Sequence, residues 1–173
     1  MDKSEHCKEV YAHFGLAMYH AQCVEQSIVG LITFFHFFPE NLSKATSQEE
    51  WERSYDSFDG TISAKTMGQL VRSLVDLGAV DGSIEAKLRT ALAKRNWLAH
   101  RFFVDHALDF VSVAGRAHMI VELQECWELF SEIEDVLIPI TYSLCEKYGL
   151  TQERLKATER EMYERANGDL APP

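Results

Sequence analysis

No run of this sequence is long enough to cross a bilayer. The longest uncharged apolar stretch, GLITFFHFF from Gly30 to Phe38, falls far short of about 20 residues and is interrupted by His36. The first residues, MDKSEHCKEV, are charged from the start and carry no apolar core or small-residue cleavage site, so no secretory leader is expected. A cytoplasmic protein with no membrane partner is the expectation. Basic residues are also scarce, 17 Lys and Arg standing against 27 Asp and Glu for a formal net charge of -10. Coating nucleic acid or an anionic membrane needs a broad positive face, which this balance excludes; a polyanion must meet a local patch. The four cysteines, Cys7, Cys23, Cys126 and Cys145, include no C-x-x-C pair and fall where small apolar residues would serve. They read as reduced structural thiols. There is no glycine-rich phosphate loop, internal repeat, low-complexity tract or convincing set of strands.

What is present is helical periodicity. At 173 residues the chain suits one domain that buries its core without disulfides or a metal. Val10, Phe14, Ala17, Ala21, Val24, Ile28, Leu31 and Phe35 recur at spacings of four and three, the seam of one long helix that Pro39 is expected to end. After the polar connector NLSKATSQ, Ser47 and Glu50 have capping-box spacing and open a shorter helix that stops at Asp59-Gly60. A further helix is expected over Ser63 to Leu77. Ser83 is read as the N-cap of another, with Leu88, Ala91, Leu92, Leu98, Ala99 and Phe102 at core spacing. A second long helix runs from about Arg116 to Tyr148 with Leu123, Trp127, Phe130, Leu137 and Leu144 inward, and Pro139 is expected to kink it. Residues 106–115 fit either a short extended piece or a loop. The expected architecture is an all-α, antiparallel up-and-down bundle over residues 1–150, followed over 151–173 by a charged helix and a frayed NGDLAPP tail. Seams on both long helices point to a homodimer.

Most clusters of chemically capable residues dissolve under helical geometry. His6, His13 and His20 recur every seven residues, which separates them by about 10 Å along a helix, too far to share one metal. They are expected to flank the seam half exposed. Glu125, Glu128, Glu132 and Asp135 form a solvated stripe without the inward Glu-x-x-His pairs of a di-metal bundle, whereas Glu134 falls on the apolar side. No metal ligand set can be assembled, and no cofactor is expected.

The decapeptide KRNWLAHRFF, Lys94 to Phe103, is different. At about 100° per residue, Arg95 falls between Leu88, Ala91, Ala99 and Phe102, so its stem enters the apolar seam. A guanidinium there is costly unless it is paired or faces a cleft. Asn96 and His100 share a face, with Arg89 on the same stripe. Between Ile84 and Val104, Lys87, Arg89, Lys94, Arg95 and Arg101 stand against only Glu85, an excess of four positive charges in an acidic chain. Arg89, Lys94 and Arg101 are therefore candidate anion-binding residues. Closure of Arg95 by a buried carboxylate such as Glu134 is the competing reading.

RNWLAH resembles the RNxxxH signature of the HEPN superfamily, and the order of a long helix, a motif helix and another long helix fits that family's outline over most of residues 1–148. The resemblance implies a dimeric helical bundle in which two copies of the motif meet in a cleft. Many such proteins are metal-independent endoribonucleases of toxin or antiviral systems, and others are non-catalytic binding or scaffold modules. Carried over by motif position, Arg95 is the signature arginine, Asn96 the polar residue after it and His100 the histidine. RNA, a second copy of the chain and a cognate antitoxin or other protein are the partners this implies. In metal-free RNA cleavage the 2'-hydroxyl attacks the adjacent phosphate. An imidazole suits the proton transfers near neutral pH and a guanidinium suits the phosphoryl oxygens. Arg95 and His100 lie about 140° apart on an ideal helix, so the implied site needs a second copy to converge.

Overall fold

The structure is a computed structural model in which residues 3–168 are described; the last five residues of the expected frayed tail lie outside them. It is all-α, with no strand among the described residues. Helix α1 spans Lys3–Ile32 and passes through a π-helical turn, Thr33–Phe37, into the short α2, Phe38–Asn41. Helical backbone thus continues two residues past Pro39. A proline ring collides with the carbonyl four residues earlier, and the wider π turn lies directly before it, where that relief is needed.

Helix α3 spans Gln48–Ser63 and runs on through Gly60. Helix α4, Met67–Asp76, starts later than its apolar spacing suggests because Thr66 and Gln69 close a capping box there. Helix α5, Gly82–His100, is capped by Asp81, whose Oδ1 accepts from the backbone N–H groups of Ser83 and Ile84 at 2.8 and 2.9 Å. Asp81, not Ser83, is therefore the N-cap. A single turn, α6, Phe102–Asp105, follows α5, and within residues 106–115 the chain forms a 3-10 turn at Asp109–Val111 and no extended strand. Helix α7 then runs unbroken through Pro139 from Val113 to Lys147, and α8 spans Gln152–Asn167.

The most extensive packing is between α1 and α7. Val10, Ala17, Ala21, Val24, Ile28 and Leu31 of α1 meet Met119, Leu123, Cys126, Phe130, Ile133 and Leu137 of α7 in one buried core, as the periodicity requires. Cross-contacts keep a nearly constant offset, His6 to Arg116, His20 to Glu134 and Phe34 to Tyr148, so the two long helices run parallel. Helix α5 runs the other way: its Arg95 meets Glu25 while Phe102, just beyond its end, meets Phe14. It supplies the antiparallel element between them, and α4 completes the core against α1 and α5. Phe37 closes the end of the bundle near α3, ringed by Trp51, Tyr55 and Phe58 at centroid distances of 5.0 to 5.5 Å. Among the described residues no helix is long and apolar enough to cross a membrane.

Candidate functional site

Helix α5 sets the RNWLAH stretch against the middle of α1. Leu88, Ala91, Leu98 and Phe102 are fully buried while Ala99 is exposed, so the inward face is narrower than the spacing suggests. Arg95 is half sunk at its edge, its side chain 29% exposed. One terminal nitrogen lies 3.5 Å from Glu25 Oε1 on α1 and the other donates to Asn96 Oδ1 at 3.3 Å. The carboxylate that meets Arg95 is thus Glu25. Glu134 is committed elsewhere, 3.0 Å from His20 Nδ1 beneath the indole of Trp127.

His100 closes α5 on the exposed side and has no hydrogen bond or ion pair among the described residues. The candidate anion residues fare differently. Arg89 is held by Glu85 at 2.6 Å and Arg101 by Asp105 at 2.6 Å, while Lys94 sits 5.0 Å over the ring of Trp97. Asp105 follows directly after Val104, and Glu25 comes from α1. Together they cut the local positive excess from four to two. The basic spot is real but largely self-neutralised: among the described residues Lys87 and Lys94 have no ion-pair partner, and Arg95 has only the 3.5 Å contact with Glu25.

A second polar cluster lies beside the motif helix, on the side of Trp97. The indole donates to Asp105 Oδ2 at 3.0 Å and meets the ring of His106 edge-on at 5.9 Å. His106 is 7% exposed and faces a carboxylate from each ring nitrogen: Asp109 Oδ2 at 2.9 Å from Nδ1 and Glu122 Oε2 at 2.7 Å from Nε2. His118, one turn before Glu122 on α7, completes the group. Next to it Arg116 is buried, its Nε directed at His6 Nδ1 across 3.4 Å and a terminal nitrogen donating to the Phe110 carbonyl at 2.8 Å. His6 is thus buried and not half exposed, whereas His13 and His20 are half-buried beside the seam as expected, His20 with Glu134 as its partner. One turn beyond Glu122, burial pushes the Cys126 thiol above its ordinary range, with Lys94 of α5 pulling the other way.

Sequence reasoning missed this cluster for a definable reason. The spacings His106-x-x-Asp109 and His118-x-x-x-Glu122 are legible as same-face pairs. Joining them requires knowing that the chain between is a 3-10 turn folded back on α7. The best-formed hollows, about 330 and 450 Å³, are built by the C-terminal end of α1 with α3 and α4, and no motif residue lines either. Comparison with protein-family models, curated proteins and solved structures found no match for this chain.

Proposed function

We propose that the chain is a HEPN-like homodimer of toxin or defence type that cleaves RNA without a metal, through Arg95, Asn96 and His100 from both copies. The observation that carries this reading is His100: a histidine at the exposed end of a basic helix, whose side chain has no hydrogen bond or ion pair among the described residues. Asn96 meanwhile holds the half-sunk guanidinium of Arg95. Within one chain the two groups diverge around α5, so a single copy does not converge on a phosphate. A second copy supplies the missing group. Exposed apolar side chains beside the motif, Phe103, Val104, Leu108 and Tyr11, provide a surface for it. In the cleft His100 moves the proton of the attacking 2'-hydroxyl and Arg95 balances charge on the phosphoryl oxygens.

Incubating the purified protein with RNA in chelator tests the reading. The wild type is expected to cleave and to have dimer mass, and an Arg95→Ala, His100→Ala double variant is expected to leave the RNA intact. Equal products from both would reject it. The carboxylate neighbours of Arg89, Arg95 and Arg101 favour a second reading, a non-catalytic binding or scaffold module in which the motif steadies the dimer. It predicts no cleavage by either protein and a lower dimer mass fraction for Arg95→Ala.

A further inference from the structure

We propose that His106, Asp109 and His118 form a binding site for one divalent transition-metal ion, with Glu122 orienting His106 from behind. The proposal goes beyond the ribonuclease reading and does not depend on it. One candidate ligand atom from each of the three residues lies within 4.8 Å of the other two. Nitrogen and oxygen ligands about 2.0–2.2 Å from an ion stand roughly 3.0–3.6 Å apart around it, so modest side-chain rotation closes the set.

Two features point to an ion instead of a chance meeting of side chains. His106 is more than nine-tenths buried and set between two carboxylates. An ion at Nδ1 shared with Asp109 leaves Nε2 facing Glu122 Oε2 at 2.7 Å, and a small rotation of that carboxylate completes the carboxylate–histidine–metal relay that fixes the ring and raises its basicity. Glu122 Oε2 is sealed from solvent and makes no hydrogen bond of its own among the described residues, so this contact with the ring is its polar environment. His118 is exposed and has neither hydrogen bond nor ion pair there, yet stands with its ring 6.1 Å from that of His106. An ion gives it a role that the apo contacts do not. Two imidazoles and one carboxylate suit zinc, iron, nickel or cobalt over magnesium or calcium. Three protein ligands with an exposed edge leave room for water or a substrate oxygen.

Backbone geometry holds the cluster in place. Gly115, in the first turn of α7, packs so closely on the Asp109 backbone that an added Cβ would fall on the Asp109 carbonyl and Cα. That approach seats Asp109 against the helix that carries His118 and Glu122.

The test is calorimetric titration of the full chain, stripped by chelator, with zinc chloride, repeated with cobalt chloride and read by visible absorption. One ion per chain is expected. Affinity should fall at least 100-fold in His118→Ala, whose side chain is exposed and whose removal leaves the core intact, and similarly in Asp109→Asn. Glu122→Gln should keep the stoichiometry and lose about 10- to 100-fold, while His100→Ala and His36→Ala should bind as the wild type does. Wild-type affinity no greater than that of His118→Ala, or loss of binding in His36→Ala instead, would overturn the assignment.

Discussion

Arg116 Nε lies 3.4 Å from His6 Nδ1 in the interior of the bundle, with the guanidinium only 1% exposed and no carboxylate within ion-pair distance among the described residues. The contact ties the first turns of the two long parallel helices together. To accept it, His6 keeps Nδ1 free of a proton and turns Nε2 toward Glu9 Oε2, 3.9 Å away. A buried cation without a counter-charge relies on its hydrogen bonds, and losing one leaves a desolvated donor behind. His6→Ala is therefore expected to cost about 1–3 kcal/mol in urea denaturation. In an Arg116→Met background the same change should cost less, a coupling of about 1 kcal/mol or more. Arg116→Ala should be the most damaging single change, about 2–5 kcal/mol, because it adds a cavity. Additive single effects would show that the two residues do not support each other.

Gly115 makes a sharper prediction about backbone. Its φ is not in the left-handed region, so conformational freedom does not explain it; the close approach of the Asp109 backbone does. Gly115→Ala forces the 3-10 turn away from α7 and is expected to lower stability by about 1–3 kcal/mol, the usual range for overpacking. Gly30→Ala is the control, since a Cβ there meets open space. Comparable melting curves for the two variants would mean that the turn moves freely.

These two cases mark what a single sequence makes legible. Helical periodicity identified most of the α1 seam and, in α7, Leu123, Phe130 and Leu137, while Met119, Cys126 and Ile133 complete a buried face that the expected residues only half covered. The sunken stem of Arg95 followed from the same arithmetic. Its partner did not, since Glu25 lies on a helix whose placement depends on the whole bundle, and Glu134, equally plausible by spacing, was already taken by His20. The parallel course of the two long helices was likewise hidden in the number of short helices between them. Spacing alone does not join His106 to His118, because a three-residue 3-10 turn decides whether they meet.

Glu50 gives a pH dependence with a fixed sign. Its carboxylate accepts from the Thr46 hydroxyl at 2.6 Å and the Thr46 backbone N–H at 2.9 Å, while Ser47 Oγ caps the Glu50 N–H at 3.2 Å. The reciprocal half of the expected capping box thus reaches one residue further back than Ser47. These bonds, the hydroxyl first, hold the Glu50 carboxyl below its ordinary range. The ionised form is favoured in the folded state, so the stabilisation is present above the unfolded value and is lost as pH falls through the folded one. Trp51 fluorescence is expected to show the start of α3 loosening on acidification, with Glu50→Gln already loosened at neutral pH and flatter across the same range. A Glu50→Gln profile that tracks the wild type would remove Glu50 as the cause.

Glu25 separates the two functional readings. Its contact with Arg95 is partly exposed, the side chains being 18% and 29% accessible, and such ion pairs contribute about 0–1 kcal/mol after screening. Glu25→Gln should therefore leave the melting temperature almost unchanged. It removes the negative charge nearest the Arg95 guanidinium and keeps an acceptor in place. If Arg95 serves a phosphoryl group, lifting that competition should raise RNA affinity, and the gain should shrink with added salt because it is electrostatic. If Arg95 belongs instead to a non-catalytic module, RNA affinity should not move. Filter binding at two ionic strengths, alongside the melting curve, distinguishes these outcomes. A gain that persists in the Arg95→Ala background would show that Glu25 acts on the overall charge of the surface and not on Arg95.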